Sequence, residues 1–263
     1  MKQTALITGA SSGIGLDLAH LFARDGHDVV LVARSQAKLQ ALAKELEAHH
    51  HITAHVVPAD LSEEAAPRKL FETIRDRGLT IDVLVNNAGF GTGGAFADTD
   101  LKTELDMIQV NVTAVTHLTK LFLGGMIARG RGRILNVAST AGFQPGPFMA
   151  VYYATKAYVV SFSEAIAEEL SGTGVTVTAL CPGPTATGFA EVANIKESPL
   201  FKLSKPMASM DVARIGYQAM QRGKRVAVTG LQNKIAMQSL RVSPRAVVTK
   251  VVRSLNRGRA AKP

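Results

Sequence analysis

The stretch Thr4-Ala5-Leu6-Ile7-Thr8-Gly9-Ala10-Ser11-Ser12-Gly13-Ile14-Gly15 decides the fold of this chain. Its first five residues form an apolar run typical of a buried strand, and a helix is predicted over Gly13–Asp25. Between the two, glycines let backbone N–H groups and a helix N-terminus face a phosphate group. The spacing Gly-x-x-x-Gly-x-Gly also suits a turn that merely reverses the chain, and it differs from the common Gly-x-Gly-x-x-Gly pattern.

Short apolar runs and longer amphipathic segments alternate along the chain. The predicted strands are Thr4–Thr8, Asp28–Ala33, Thr53–Val57, Val83–Val85, Arg133–Val137, Val175–Leu180 and Arg225–Thr229. The predicted helices are Gly13–Asp25, Gln36–His49, Ser62–Arg77, Leu101–Arg129, Val151–Leu170 and Ser209–Gln221. This alternation predicts an α/β fold: a single-domain, doubly wound (Rossmann-type) parallel sheet with helices on both faces.

Length and composition are those of one globular domain. The chain has 263 residues, of which 46% are hydrophobic and 19% charged. The apolar start is too short for a signal peptide, and the longest uncharged run, Ile134–Thr155, contains two prolines and is not a membrane span. A single cysteine, Cys181, fits a reducing cytosol and is expected to be a small buried side chain. We therefore expect a cytoplasmic protein with residues 1–230 as its main domain.

The positive charge is concentrated at the C-terminal end. Residues 212–263 contain 12 Lys/Arg and no Asp/Glu, so the preceding 211 residues carry a net charge of −3. We treat residues 231–263 as a basic extension, packed on the main domain or trailing from it and helical in parts, with a break at Pro244. Its role is left open between a solvated face, peripheral contact with an anionic membrane and electrostatic contact with nucleic acid. The extension has no aromatic residue for base stacking, so no specific nucleic-acid partner is expected.

A tyrosine and a lysine suited to acid–base chemistry occur in Tyr152-Tyr153-Ala154-Thr155-Lys156. Tyr152 and Lys156 are four residues apart and share a helix face, where the lysine charge is expected to lower the pKa of the phenol. Such a phenol can exchange a proton with an alcohol or carbonyl oxygen. The same spacing is also common in ordinary amphipathic helices.

Arg34 follows the second predicted strand, nineteen residues after Gly15. At this place an acidic residue binds the ribose 2′-hydroxyl of NAD, whereas an arginine accommodates the 2′-phosphate of NADP. The sequence therefore favours NADP (NADPH), with a solvated arginine as the alternative interpretation.

Taken together and in order, these motifs resemble those of the short-chain dehydrogenase/reductase family. The resemblance runs from Thr4 to about Thr187 and implies hydride transfer between NADP(H) and a carbonyl or secondary alcohol. It implies a catalytic set of Asn111, Ser139, Tyr152 and Lys156. It implies that the cofactor is bound by Gly9, Ser11, Ser12, Gly13, Ile14, Gly15, Arg34, Asp60, Asn87, Gly89, Tyr152, Lys156, Pro182, Gly183, Thr185 and Thr187.

By this resemblance, Ser139 polarises the substrate oxygen, Lys156 also binds the nicotinamide ribose, and Asn111 holds a water behind the lysine. Asp60 meets the adenine amino group, and Asn87 and Gly89 lie beside the adenosine ribose, although asparagine and glycine also supply plain turn geometry. The segment from Pro182 to Thr187 holds the nicotinamide carboxamide, with backbone at Thr185 and the hydroxyl of Thr187. No metal site is expected, and the histidines around His50 are interpreted as a solvated helix end.

The substrate is expected between two segments rich in large apolar side chains. These side chains are Phe143, Phe148, Met149, Phe189, Leu200, Phe201 and Leu203. They favour an apolar ketone or a 3-oxoacyl-type substrate, and the alternative is that they only pack a lid.

Two further expectations concern assembly and the class of function. The ending departs from that of tetrameric family members, so a homodimer through the predicted helices Leu101–Arg129 and Val151–Leu170 is favoured over a tetramer. The competing class is a non-catalytic NADP(H)-binding sensor or scaffold. The intact catalytic set argues against that class, because a sensor has no need of an acid beside a polarising hydroxyl.

Overall fold

A parallel sheet lies at the centre of the computed structural model, which describes residues 2–193, Ile195, Pro199 and 205–257. The strands are β1 (Thr4–Thr8), β2 (Asp28–Ala33), β3 (Ala54–Pro58), β4 (Val83–Asn86), β5 (Gly132–Val137), β6 (Val175–Cys181), β7 (Thr185–Ala186), β8 (Met207–Ala208) and β9 (Val226–Val228). Within the described residues, seven of them form one sheet in the order β3-β2-β1-β4-β5-β6-β9, and β7 pairs with β8 separately. Every pair is parallel, as the predicted alternation of strands and helices requires.

Helices connect these strands and cover both faces of the sheet. They are α1 (Gly13–Arg24), α2 (Gln36–His50), α3 (Ala66–Asp76), α4 (Leu101–Ile108), α5 (Ala114–Ala128), α6 (Ala150–Glu169), α7 (Phe189–Val192), α8 (Ser209–Gln221), α9 (Leu231–Ser239) and α10 (Arg245–Asn256). A π-helical turn, Gln109–Thr113, joins α4 to α5, and a 3₁₀ turn, Thr140–Phe143, precedes α6. None of the helices in the described ranges is long and apolar enough to cross a membrane.

The core consists of two apolar layers, one on each face of the sheet. In β1, Ala5 and Ile7 pack in the layer that contains α1, α2 and α8, whereas Leu6 packs in the layer that contains α3 and α5. Alternate residues of a strand point to opposite faces, so both sides of a buried strand must be apolar. This requirement explains the continuous apolar runs that predicted the sheet.

The predicted fold class is confirmed, with two differences in the helices. The segment Leu101–Arg129, predicted as one helix, is interrupted by the π-helical turn. The helix predicted from Ser62 begins only at Ala66, because the Asp60 carboxylate accepts hydrogen bonds from the N–H and hydroxyl of Ser62 and holds a turn there. Pro67 then lies in the first helical turn, where its missing N–H costs little.

The sheet brings the motif-bearing loops to one edge. β1 is flanked by β2 and β4, so the strand order reverses at β1, and the carboxyl ends of β1, β4, β5 and β6 open on the same side. Ligands of doubly wound folds bind at such an edge. We call residues up to 230 the sheet domain and residues 231–263 the extension, of which the structure describes residues 231–257. The extension packs back over this edge through α10, whose Val248 and Val252 join an apolar cluster with Tyr152.

Candidate active site

The glycine turn after β1 permits close packing of three backbone segments. Gly9 has φ +66°, and a Cβ atom there would lie 2.8 Å from the Asn87 side-chain nitrogen. A Cβ on Gly15 would overlap the Gly9 carbonyl oxygen, so only glycine allows α1 to start so close to β1. A large cavity is lined by Gly9, Ser11, Ser12, Gly13 and Ile14, whereas Gly15 is buried beneath the turn and is not among the lining residues. The turn thus presents backbone and a helix N-terminus to the cavity, as an anion site requires.

Thr8 and Asn87 join the turn to the loop after β4. The Thr8 hydroxyl donates to the Val85 carbonyl (3.1 Å) and accepts from the N–H groups of Asn87 (2.9 Å) and Ala88 (3.0 Å). The Asn87 side chain donates to the Thr8 carbonyl at 2.8 Å. The side-chain amide of Asn87 therefore holds the backbone of the neighbouring turn, which is the structural role that the sequence offered as an alternative. Asn87 and Gly89 also line the cavity.

One end of the cavity is basic. Arg34 and Lys38 line it together with Asp60. Burial alone would raise the pKa of Asp60, but hydrogen bonds from Ser62 and the nearby Arg34 guanidinium outweigh burial and hold the pKa below its ordinary value. Asp60 is consequently an ionised acceptor near the Arg34 guanidinium. Lys38 was not predicted as a site residue; its position four residues after Arg34, early in α2, is the signal that could have found it.

Ser139, Tyr152 and Lys156 lie together in the middle of the cavity. The Ser139 hydroxyl follows β5, hydrogen-bonds the Tyr152 phenol and accepts from the Ala141 N–H at 3.1 Å. Lys156 Nζ donates to the Val137 carbonyl at 2.9 Å and lies 5.8 Å from the centre of the Tyr152 ring. The 8% exposure of Tyr152 and the 5% exposure of Lys156 place a phenol and an amine in a nearly dry environment.

Burial dominates the acid–base properties of this pair. It raises the pKa of the Tyr152 phenol well above its ordinary value, although the hydrogen bond to Ser139 lowers it in part. It lowers the pKa of Lys156 to about 8. The expectation that the lysine charge lowers the Tyr152 pKa is therefore wrong in direction, because loss of water around the phenol has the larger effect. Near neutral pH the phenol carries its proton, and the amine is mostly cationic.

Asn111 lies in the π-helical turn, behind the lysine. Its side-chain nitrogen donates to the Phe90 carbonyl (2.9 Å) and the Thr155 hydroxyl (3.1 Å), and its oxygen accepts from the Phe90 N–H (3.2 Å). A Cβ on Gly89 would come within 2.9 Å of that oxygen and 3.4 Å of Lys156 Nζ. Asn111 is 1% exposed and is not one of the cavity-lining residues. Its contacts fix the loop after β4 against α6.

The segment after β6 forms another wall of the cavity, and its Thr187 side chain lies beside Gly13 of the glycine turn. Pro182, Gly183, Thr185 and Thr187 all line the cavity. The Thr185 hydroxyl donates to the Gly183 carbonyl (2.9 Å), and the Thr187 hydroxyl accepts from the N–H of Phe189 (3.2 Å). The four residues predicted from the sequence thus meet the cavity, with side chains that also brace the segment itself.

The apolar end of the cavity is lined in part by other residues than the sequence predicted. Met149 and Phe189 line the cavity, but Phe143 packs away from it against Val160, and Phe148 is not among the lining residues. Leu200, Phe201 and Leu203 lie outside the described residues. The extension contributes the missing wall instead, through Met237, Leu240, Val247, Val248, Val251, Val252 and Leu255. The Val/Leu residues recur at helical spacing along residues 247–255, a periodicity that indicates a buried face and could have been used.

Similarity to known proteins agrees with this geometry. The family model described as short chain dehydrogenase matches residues 3–198. The chain belongs to the short-chain dehydrogenase/reductase family. It is accordingly an oxidoreductase that uses a nicotinamide dinucleotide, and the glycine turn, the basic end and the buried phenol all fit that cofactor.

Individual members of the short-chain dehydrogenase/reductase family match most of the chain. A Streptomyces virginiae protein provisionally named the ketoacyl reductase of monensin polyketide synthase is 43% identical over 192 residues, covering 72% of this chain and 73% of that protein. A short-chain dehydrogenase from Sphingobium yanoikuyae in complex with NADPH is 33% identical, with a TM-score of 0.81 and coverage of 92% and 96%. The bulky-bulky ketone specific alcohol dehydrogenase from Comamonas testosteroni is 30% identical, with a TM-score of 0.78 and coverage of 91% and 92%.

Cys181, the histidines at the end of α2 and a metal ion were not expected to take part in the chemistry. Cys181 is fully buried, and burial raises the pKa of its thiol to about 12. His51 ends α2 in a left-handed conformation. Among the described residues, no three His, Cys, Asp or Glu side chains are grouped closely enough to hold a metal ion.

Proposed function

We propose that this chain is an NADPH-dependent reductase of apolar ketones or 3-oxoacyl-type compounds. The observation that carries the proposal is the continuity of one cavity of about 980 Å³. It runs from Arg34 and Lys38, past Ser139 and Tyr152, to the apolar wall of the extension. The names of the ketoacyl reductase and bulky-ketone dehydrogenase relatives support the same substrate class.

The cavity has matching positions for both ends of the dinucleotide. We assign the 2′-phosphate to Arg34 and Lys38, the adenine to Asp60, the pyrophosphate to the Gly9–Gly15 turn and the nicotinamide to the Pro182–Thr187 segment. When bound, NADPH supplies the hydride. Arg34 favours the phosphorylated form because a guanidinium pairs well with phosphate oxygens.

The remaining chemistry is proton transfer by this chain's own residues. Tyr152 donates its proton to the substrate oxygen, and its raised pKa keeps that proton in place at neutral pH. The Ser139 hydroxyl is positioned to donate a hydrogen bond to the same oxygen. The Lys156 cation stabilises the phenolate that is left behind. Asn111 fixes the loop after β4 against α6 and, in this proposal, also holds a water behind the lysine.

NADPH and NADH oxidation against ketones and 3-oxoacyl thioesters tests this proposal. We expect NADPH-specific turnover that falls about 10³-fold in Tyr152→Phe, within the range of general acid catalysis. NADPH binding should persist in the variant, since the other residues assigned to the dinucleotide are unchanged and only one contact is lost. Tight NADPH binding by the wild type without turnover on any carbonyl would instead favour the sensor or scaffold.

We also propose a homodimer. Leu101, Leu105 and Ile108 form an exposed apolar stripe on α4, and Tyr158 on α6 is 39% exposed. Exposed apolar side chains on these two helices favour a protein interface over a solvated surface. Sedimentation of Leu105→Lys should show monomer where the wild type shows dimer; a wild-type monomer excludes the proposal.

The remaining proposals concern organisation and location. We assign residues 1–230 as the dinucleotide-binding and catalytic domain and 231–263 as an extension of it, in a cytoplasmic protein.

Arg245 and Arg253 are exposed on α10, and Leu231 and Ile235 on α9 are 73% and 62% exposed. These exposed basic and apolar side chains favour peripheral contact with an anionic membrane. The wild type should pellet with phosphatidylserine vesicles, whereas the Arg245→Glu/Arg253→Glu double variant should stay in the supernatant. If both proteins pellet equally, the membrane proposal is wrong.

A further inference from the structure

The extension contributes accessible apolar surface inside the cavity. Val248 and Val252 are buried against the core, at 9% and 3% exposure. Val247 and Val251 line the same cavity yet remain 54% and 53% exposed, so about half of each residue is left uncovered by the protein. With Leu255 they form a stripe on α10, which at the usual helical rise is about 12 Å long.

A single buried amide fastens this stripe to the catalytic helix. Asn256, at the end of α10, is 4% exposed. Its oxygen accepts from the Tyr153 hydroxyl at 3.2 Å, and its nitrogen donates to the Pro147 carbonyl at 3.1 Å. Tyr153 is the neighbour of Tyr152 on α6, and Pro147 lies in the loop that leads into α6. Two hydrogen bonds therefore fix the distance between the stripe and the phenol.

A buried amide is a costly way to attach a helix unless its position matters. An apolar residue would pack α10 against Tyr153 without the need to satisfy both amide atoms, and each unmet partner costs about 1–3 kcal/mol. The amide allows one spacing of α10 relative to α6, whereas apolar packing alone tolerates sliding.

We propose that α10 is the specificity-determining wall of the substrate site, with Val247, Val251 and Leu255 packing along the apolar chain of the substrate and Asn256 as the residue that positions them. The inference rests on the proposed reductase function and deepens it. The substrate class is a carbonyl compound whose chain extends from the reacting carbon along α10. A short substrate reaches Ser139 and Tyr152 without touching the wall.

The first experiment compares a short and a long substrate: the N-acetylcysteamine thioesters of acetoacetate and of 3-oxododecanoate, with NADPH. In Asn256→Ala we expect KM for the long thioester to rise about tenfold, because apolar contact worth a few methylene groups is lost. The KM for the acetoacetate thioester, and the kcat values for the two thioesters, should change less than about twofold. Equal changes for both substrates, or none, would overturn the inference, whereas a wild type inactive on both contradicts the proposed function instead.

A matched pair of variants separates the wall from the rest of the helix. Val251→Asp places a carboxylate in the apolar stripe, and Lys250→Asp places the same group on the exposed residue before it. We expect Val251→Asp to raise KM for the long thioester more than tenfold and Lys250→Asp to leave it unchanged. Similar effects of the two changes would contradict the assignment of the wall.

Hydrogen exchange tests the positioning role without any substrate. Asn256→Ala should increase exchange in residues 245–256, and Tyr153→Phe, which removes only one of the two hydrogen bonds, should do so by less. Exchange in α6 should stay as in the wild type. Unchanged exchange in α10 would show that Asn256 does not fasten it and would overturn that part of the inference.

Discussion

The sheet domain and the extension meet at the same cavity, but different forces hold their residues there. Around Tyr152 the groups are held by buried hydrogen bonds to the backbone, such as Lys156 to Val137 and Asn111 to Phe90. The wall of the extension is held by an apolar face and one amide, Asn256. Directional bonds fix atoms to a few tenths of an ångström, whereas apolar packing mainly fixes shape. The contrast agrees with the two proposals made above, in which the sheet domain carries out the reaction and the extension selects the substrate.

The largest expected effect is on the chemistry of the sheet domain. Lys156→Met should lower kcat about 10²- to 10³-fold for short and long substrates alike, because the phenolate formed on Tyr152 loses its counterion. The melting temperature should not fall, since burial already disfavours the charged lysine. Steady-state kinetics on both substrates and a thermal melt check this. A loss confined to the long substrate would contradict the division between the two regions.

A smaller effect is expected at the basic end of the cavity. Arg34→Ala should lower kcat/KM for NADPH about 10- to 100-fold, because a charged hydrogen bond to phosphate is lost, and leave that for NADH nearly unchanged. Lys44→Ala is the matched control, since Lys44 is also on α2 but exposed and away from the cavity lining. Parallel losses with NADPH in both variants would point to a general charge effect.

The next prediction asks whether the extension folds together with the sheet domain. Val252→Ala should lower the free energy of unfolding by about 1–2 kcal/mol, because its side chain is 3% exposed in the cluster that contains Tyr152. Val242→Ala, at 86% exposure, should change it by less than about 0.5 kcal/mol. Urea unfolding followed by circular dichroism measures both. If Val252→Ala leaves the free energy of unfolding unchanged, the extension is attached only loosely to the sheet domain.

The smallest effect concerns pH. In the proposed mechanism, reduction requires a protonated Tyr152 and a cationic Lys156, and both forms are present below the Lys156 pKa of about 8. As pH rises through that value the ammonium loses its proton, so kcat should fall to about half near pH 8 and continue downward. Tyr152, with its raised pKa, keeps its proton over this range. A kcat that rises through pH 8 in the direction of reduction would contradict the assignment.

The sheet was predictable because its signal is local. β1, β2 and α8 begin and end where the pattern of apolar residues placed them. The motif residues are predictable for a related reason, since parallel strands bring their carboxyl ends to one edge whatever the side chains are. The functional roles assigned to those residues stay predictions that the experiments above address.

The direction of the Tyr152 pKa shift and the wall of the substrate site were not predictable in this way. The first depends on how much water surrounds the phenol, which spacing along a helix does not reveal. The second depends on Asn256 meeting Tyr153 across 103 residues of sequence. In the sequence, the periodicity of the α10 valines indicates an apolar face, but it does not show that this face lies over the substrate cavity.

The π-helical turn at Gln109–Thr113 makes the site sensitive to the number of residues in this helix as well as to their identity. A π turn holds one residue more than the α-helical turn it replaces, so deletion of Val112 would let α4 and α5 wind as one regular helix. Because the π turn takes up this extra residue, α4 would keep its direction relative to α5 after the deletion. Asn111 lies inside the turn and would lose the position from which it contacts Phe90 and Thr155. A one-residue deletion here should therefore damage the active site and leave the exposed stripe of α4 in place.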